Sequence, residues 1–304
     1  MDPNFFYCSE LSRAVAEKTY GTASVGAFWL LLEYPFAWAS SALEESNLSA
    51  SVKAHLKRAV KQVPHGRLLF IKKERSRLKR IALFIARSHE RGPYVIRLEL
   101  EDYQQLLEID PASLTRENLP SGASILHEPL FLVCTHGRRD KCCAKFGYPL
   151  FKSLNEGTGQ TVWQSSHVGG DRFAANLLCF PHGLFYAHVT SERGKAIIKE
   201  YEENRLALQN YRGRSCYSYP VQAAEFFIRT ESGISQLNDL RYLNHARLSD
   251  ERWQVRFLER SRGLVHEVKV SRFMSEFQNY VTCHAVHERP LPQFRLDDYQ
   301  IIER

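Results

Sequence analysis

The chain has 304 residues, of which 44% are hydrophobic and 12% aromatic, enough for a packed core in one large domain or two of ordinary size. It contains no run of about 18 uninterrupted apolar residues, and its first residues lack the features of a signal peptide, so we expect a cytoplasmic protein without a membrane partner. The net charge of +7 favours an acidic partner, and the odd number of cysteines, seven, favours reduced or metal-bound thiols over a disulfide framework.

The basic residues are dispersed, except for the run KKERSRLKR at residues 72–80. This run lies between two predicted strands, and we interpret it as an exposed turn. A patch that binds a protein partner or nucleic acid is the less favoured alternative. We therefore expect no nucleic-acid partner.

The first part of the chain, residues 1–110, predicts a small α/β unit. Its helix at 49–62 is indicated by Val52, Leu56 and Ala59, which share one helical face, with Ser49 or Ser51 as the N-cap. The other predicted elements are a helix at 12–18, a buried strand at 28–33, and strands at 67–71, 80–86 and 94–100.

A turn-rich segment at 110–124 is the predicted linker to a second unit, residues 125–220. That unit has the order βαβ followed by ββα, which is the order of a thioredoxin-like unit. Its predicted elements are strands at 130–133, 161–165, 177–180 and 184–189, helices at 144–154 and 192–209, and a helical turn at 173–176.

Residues 221–304 predict a helix at 221–228 and strands at 253–257, 264–270 and 280–285. We interpret this tail as a small β-rich extension. The predicted fold class is therefore α/β with mixed sheets, built from two thioredoxin-like units in tandem and this extension.

Soft metal ligands are concentrated at the ends of two predicted strands. Cys134 ends the first of these strands and is followed by Cys142 and Cys143, and His167 and Asp171 follow the second. Thiolates and imidazoles are ligands of zinc, copper and iron–sulfur clusters. The zinc-type spacing Cys-x-x-Cys is absent here, and the long loop between Cys134 and Cys143 is expected to surround something larger than one ion.

Two motifs, CTHGRRDKCCAKFGYPL and VWQSSHVGGDRFAANLLCFPHGLFYAHV, resemble the sucrase/ferredoxin-like family. The resemblance extends over about residues 8–217, and the relevant part of the family resembles thioredoxin-like [2Fe-2S] ferredoxins. It implies a [2Fe-2S] cluster whose ligands are Cys134, Cys143 and His167. Asp171 stands at the position of a second histidine in the family pattern.

The substitution at position 171 leaves three candidates for the fourth ligand, which are Asp171, Cys142 and Cys8. Asp171 can also act by orienting His167 through a hydrogen bond. A carboxylate or a third thiolate in place of a neutral imidazole adds about one negative charge to the cluster and lowers its reduction potential.

Further residues surround the implied cluster. Arg138 and Arg139 are predicted to neutralise cluster charge or to dock an acidic electron donor, and Gly169 and Gly170 to let backbone N–H groups approach the cluster sulfides. The predicted surface or hairpin histidines are His136, His182 and His188, and the predicted core thiols are Cys179, Cys216 and Cys283.

The leading hypothesis is an electron-transfer protein with an unidentified, acidic donor or acceptor. The alternatives are a metal-free thiol–disulfide redox or sensor protein that uses Cys134, Cys142 or Cys143, and a binding module that has kept the fold. No carboxylate pair with flanking aromatic residues indicates a glycoside hydrolase, so we expect an electron carrier and no sucrase activity.

Overall fold

The computed structural model describes residues 6–74, 80–157 and 162–302. Residues 75–79 of the basic run and residue 161 of a predicted strand lie outside the described residues. Within the described ranges, no helix combines the length and hydrophobicity that a membrane crossing requires.

The described residues form fourteen strands and five α-helices. The helices are α1 (Cys8–Ala14), α2 (Ala50–Lys61), α3 (Tyr148–Gly157), α4 (Ser191–Glu202) and α5 (Tyr219–Ser232). The strands are β1 (Phe28–Glu33), β2 (Gly66–Lys72), β3 (Ile81–Arg87), β4 (Tyr94–Leu100), β5 (Ser124–Leu126), β6 (Leu130–Cys134), β7 (Val162–Ser165), β8 (Leu177–Phe180), β9 (Leu184–Tyr186), β10 (Tyr211–Arg214), β11 (Leu240–Ser249), β12 (Arg252–Glu259), β13 (Val265–Asn279) and β14 (Arg289–Ile302).

Ten of the described strands form one mixed sheet in the order β10-β9-β8-β6-β7-β2-β1-β3-β4-β5. The pairs β1–β2 and β6–β7 are parallel, each connected through a helix, and the other pairs are antiparallel. The predicted α/β class with mixed sheets is confirmed.

Strand β1 shows why this sheet is stable. All six residues of its sequence FWLLLE are buried, because the sheet is covered on both faces. Trp29 and Leu31 pack into the apolar cluster on one face, and Phe28, Leu30 and Leu32 pack into the cluster on the other. An uninterrupted apolar run is the pattern of such a strand.

The two halves of the large sheet have the same pairing order. In each half two parallel strands are joined by a helix, and an antiparallel hairpin lies beside the first of them. The halves meet where β2 pairs with β7, at Ile71–Ser165 and Lys72–Gln164, so they share one sheet. The assignment to tandem thioredoxin-like units and the boundaries at 110, 125 and 221 stay predictions.

Several predicted elements were wrong in position. The helix expected at 12–18 lies at Cys8–Ala14. The hydrophobic pattern gave no signal for this position, because two of the buried residues of the helix are the polar Ser9 and Ser12. The helix expected at 192–209 ends at Glu202. No strand forms at 280–285, since β13 leaves the ladder at Asn279 and the chain loops back to β14.

The tail forms a larger element than the extension predicted from the sequence. Strands β11 to β14 make a four-stranded antiparallel sheet within the described residues, in which β11, β14 and half of β13 were not predicted. Val255, Phe257 and Val268 of this sheet pack against Ala224 and Ile228 of α5. Helix α5 therefore lies between the two sheets.

A buried ion network ties α5 to the edge of the large sheet. Glu225 lies 3.1 Å from Arg229 and 3.5 Å from Arg214, with at most 1% of each side chain exposed. Tyr211 also donates a hydrogen bond to Glu225 at 2.9 Å. Burial alone would raise the pKa of Glu225, but the two guanidinium groups lower it overall, so the carboxylate stays charged.

Replacing Glu225→Gln is expected to lower the free energy of unfolding by about 3–5 kcal/mol, because two buried guanidinium groups lose their counter-charge. Asp250→Asn is the control, since its ion pair with Arg247 is 95% exposed on the aspartate side. That change is expected to cost less than about 1 kcal/mol. Urea unfolding measures both, and equal losses would contradict the prediction.

Candidate metal centre

The parallel pairing of β6 and β7 brings the two predicted ligand loops to one edge of the sheet. Cys134 is the last residue of β6 and pairs in register with Ser165, the last residue of β7. Thr135 donates its N–H to the Ser165 carbonyl at 3.2 Å, which continues the ladder into the loops. Both loops therefore begin side by side.

The loop that follows Cys134 returns to it through a turn of π-helix at Cys143–Gly147. The helix predicted at 144–154 thus begins four residues late, at Tyr148. Gly147 makes this return possible: a Cβ atom there would lie 2.0 Å from the Cys134 carbonyl oxygen. The close approach of backbone to backbone holds Cys143 beside Cys134.

His167 is positioned by a loop residue, His136, and through its neighbour Ser166 by strand β2. Its N–H donates to Nδ1 of His136 at 3.2 Å, and the preceding residue, Ser166, exchanges hydrogen bonds with Phe70 of β2. His136 is itself only 2% exposed, and its Nε2 hydrogen-bonds the Ala39 carbonyl at 2.7 Å. The prediction that His136 is a surface residue was wrong, because a loop histidine buried by tertiary contacts has no signature in the sequence.

The three ligand atoms of Cys134, Cys143 and His167 all lie within 4.8 Å of one another. Asp171 Oδ1 lies 3.6 Å from Cys143 Sγ and 3.0 Å from His167 Nδ1. The His167–Asp171 contact has ion-pair distance but lacks hydrogen-bond geometry, so Nδ1 has no hydrogen-bond partner although it is buried. Three donors thus lie close together, Asp171 contacts two of them, and one imidazole nitrogen is unsatisfied.

The charges of this group favour a cation. The pKa of Cys134 is lowered, first by Cys143 and further by His167. Burial opposes this shift but does not outweigh it. The pKa of Cys143 is raised by Cys134 and by burial. Burial disfavours the imidazolium of His167, but Asp171 and Cys134 outweigh it and raise the pKa to about 9. Binding of a thiophilic metal here would release protons from His167 and Cys143.

The glycine pair after His167 packs against the rest of the molecule. Both residues have positive φ, +91° at Gly169 and +80° at Gly170, which favours glycine. Added Cβ atoms would lie 2.3 Å from Ser24 Oγ and 2.5 Å from an Arg212 nitrogen. These contacts explain why both positions are glycine. The approach of their backbone N–H groups to cluster sulfides stays a prediction.

Arg212 holds the His167 loop through a hydrogen bond to its backbone, and this role was not predicted from the sequence. Its buried guanidinium donates to the Gly169 carbonyl at 3.0 Å and to Asn176 Oδ1 at 2.7 Å. Burial lowers the pKa of Arg212 to about 9. An arginine in an unpredicted strand, β10, offers no sequence signal for this role.

Two of the candidates for the fourth ligand point elsewhere. Cys8 and Cys142 lie in a second group with Asp140 and Cys283, in which one ligand atom from each residue lies within 4.8 Å of the others. Cys283 is therefore part of a thiol cluster, contrary to its prediction as a core thiol. Of the three candidates, only Asp171 contacts the first group.

Arg138 and Arg139 lie in the loop between Cys134 and Cys143, and both are exposed. The Arg138 carbonyl accepts a hydrogen bond from Ser40 at 3.1 Å. Both arginines are available to a partner at the edge of the sheet that carries His167.

Two thiols, an imidazole and a carboxylate at the end of parallel strands define an α/β protein with a potential soft-metal site. The family model described as sucrase/ferredoxin-like matches residues 19–213, and the chain belongs to this family. No curated protein and no solved structure matches the chain.

The donor set fits an iron–sulfur cluster in its chemistry. Such clusters accept thiolates and imidazoles together, and the unsatisfied Nδ1 of His167 is the imidazole atom nearest the acidic donor. The same three donors are also close enough to reach one metal ion. Donor chemistry therefore supports metal binding at this group.

Replacing Gly147→Ala is expected to lower the free energy of unfolding by about 1–3 kcal/mol, because its Cβ clashes with the Cys134 carbonyl. The change should also speed alkylation of Cys134, which is 1% exposed. Gly92→Asn is the control, since Gly92 has a φ of +66° and no atom within 4 Å of an added Cβ. Denaturant unfolding and mass spectrometry of labelled protein test the pair, and unchanged labelling of Cys134 would contradict the prediction.

Proposed function

We propose that this chain is an electron-transfer protein that binds a [2Fe-2S] cluster through Cys134, Cys143 and His167, with Asp171 at the fourth position. The observation that carries the proposal is the convergence of these donors at the shared edge of β6 and β7. Membership of the sucrase/ferredoxin-like family supports it. When bound, such a cluster accepts and returns one electron.

The chain's own residues hold and tune the site. Cys134 and Cys143 supply two negative charges in a region where both are 1% exposed, which excludes water from the sulfurs. His167 supplies a neutral donor after losing its proton, and Asp171 supplies a further negative charge. The resulting donor set is more negative than one with two imidazoles, which favours the oxidised state and a lower reduction potential.

The edge of the site offers a route for electrons. The His167 side chain is 25% exposed, more than Asp171 at 6%, so it is the ligand nearest solvent by exposure. Arg138 and Arg139 are exposed on the adjoining loop. We propose an acidic donor or acceptor protein in the cytoplasm that docks on this edge, since complementary charge speeds encounter.

The metal-free thiol–disulfide alternative is less well supported. The lowered pKa of Cys134, caused first by Cys143, is a feature that redox-active thiols share. Exchange with a partner, however, needs access to the sulfur, and Cys134, Cys142 and Cys143 are at most 1% exposed. Burial of this kind suits a resident metal better than a thiol that attacks an external disulfide.

Replacing Cys143→Ser is expected to remove most of the bound iron and sulfide, because one of two thiolate ligands is lost. Cys179→Ser is the matched control, since Cys179 is equally buried in β8 and belongs to neither ligand group. Iron and sulfide analysis of anaerobically purified protein, with electron paramagnetic resonance after reduction, measures the effect. An iron-free parent protein, or one metal ion per chain without sulfide, would contradict the cluster.

Replacing Asp171→His is expected to keep the cluster and raise its reduction potential by on the order of 100 mV, because a neutral imidazole replaces a carboxylate. Asp171→Asn separates charge from ligation, since the amide keeps the shape of the side chain. Potentiometric titration compares the three proteins. An unchanged potential in both variants would show that Asp171 does not act on the cluster.

A further inference from the structure

A second group of thiols lies behind the first and takes no part in the proposed electron transfer. The Sγ atom of Cys142 lies 3.6 Å from that of Cys8 and 3.2 Å from that of Cys283, and Cys283 lies 3.5 Å from Cys8. The three sulfurs thus form a closed triangle. One disulfide would use two of them and leave the third without a role.

The three cysteines come from distant parts of the chain. Cys8 begins α1, Cys142 ends the loop after β6, and Cys283 lies in the loop between β13 and β14. Packing of small apolar side chains alone gives no reason for three cysteine sulfurs from distant segments to lie together. A shared ligand gives a reason for all three chain segments to converge.

Asp140 completes the group. Its Oδ1 accepts the N–H of Cys142 at 2.8 Å and its Oδ2 accepts the N–H of Cys283 at 2.7 Å. The carboxylate lies 3.9 Å from Cys8 Sγ, and its residue has no exposed surface. Asp140 therefore joins two of the cysteine backbones and also offers an oxygen to the centre.

The backbone also points at the sulfurs. The N–H of Ser9 donates to Cys142 Sγ at 3.4 Å, and the N–H of Cys8 donates to Cys283 Sγ at 3.4 Å. Hydrogen bonds to sulfur stabilise the thiolate form, and outer contacts of this kind are regular around metal ligands. The arrangement suits charged sulfurs more than neutral thiols.

The group is enclosed by apolar side chains. Cys8 and Cys142 have no exposed surface, and Ala174 and the aromatic rings of Phe6 and Tyr280 pack around them. The Phe6 and Tyr280 rings stack at 4.2 Å between centroids. Negative sulfur and oxygen atoms in such an enclosure need a compensating cation.

Spacing favours a single ion over a cluster. With zinc–sulfur bonds of about 2.3 Å, the sulfurs of a tetrahedral site lie about 3.8 Å apart. The observed separations of 3.2–3.6 Å are close to that value. An iron–sulfur cluster places bridging sulfides between its metals and holds its thiolates farther apart.

We infer that Cys8, Cys142 and Cys283, with Asp140 as the fourth donor, form a second metal site that binds one thiophilic divalent ion of the zinc type. The thiol protons leave to solvent when the ion binds, and no redox change is involved. The ion cross-links helix α1, the loop after β6 and the loop between β13 and β14. Because Cys142 and Cys143 are adjacent, it also anchors one end of the proposed cluster site.

The test measures zinc and iron separately in full-length protein purified anaerobically under reducing conditions and loaded with ZnCl2. We expect about one zinc ion per chain in the parent protein and a loss of about tenfold or more in Cys283→Ser. Cys216→Ser is the control, because Cys216 belongs to neither group. Cys143→Ser should keep zinc while it loses iron, so failure of the electron-transfer proposal leaves this inference separately testable.

Two further measurements test the inference even if Cys283→Ser folds poorly. Asp140→Asn should weaken zinc binding by about tenfold or more in competition with a chelator, with circular dichroism as the check on folding. Zinc-edge X-ray absorption should give three sulfurs at about 2.3 Å and one oxygen at about 2.0 Å.

Three results would overturn the inference. The first is a parent protein that binds no zinc after reduction and loading. The second is zinc that is retained in Cys283→Ser and lost in Cys143→Ser, which would place it at the first group. The third is a disulfide between Cys142 and Cys283, detected by mass spectrometry in the anaerobic protein.

Discussion

The parallel alignment of β6 with β7 is the constraint on which the rest of the site depends. Since both strands run in the same direction and end in register at Cys134 and Ser165, the loops that follow leave the sheet at one place. The sheet is covered by apolar side chains on both faces, so neither strand can shift without losing buried contacts. Two segments about thirty residues apart are thereby held at a fixed distance.

Two adjacent cysteines in the loop after β6 belong to two different ligand groups. Cys143 faces Cys134 and His167, while Cys142 faces Cys8 and Cys283. Between them, the π-helical turn and Gly147 hold the backbone against the end of β6. The two groups are therefore joined by a single peptide unit, and the second group connects this loop to the loop that carries Cys283.

Buried polar residues set the chemistry around these groups. His136 and Arg212 orient the His167 loop by hydrogen bonds to its backbone. Neither role has a signal in the sequence. Asp171 stands where the family pattern implies a histidine, and in this fold its carboxylate touches both Cys143 and His167. In the proposed cluster site, that one position makes the donor set more negative than one with two imidazoles.

The sequence by itself determined the α/β class, most strands of the large sheet and the family, because long apolar runs and two dense motifs carry that information locally. It also singled out Cys134, Cys143, His167 and Asp171, whose contacts in the structure agree with their selection, although their ligand roles stay a proposal. Only the tertiary structure decided that Cys8, Cys142 and Cys283 meet. Contacts between residues more than a hundred positions apart depend on how whole elements pack, and no periodicity or spacing in the chain records that packing.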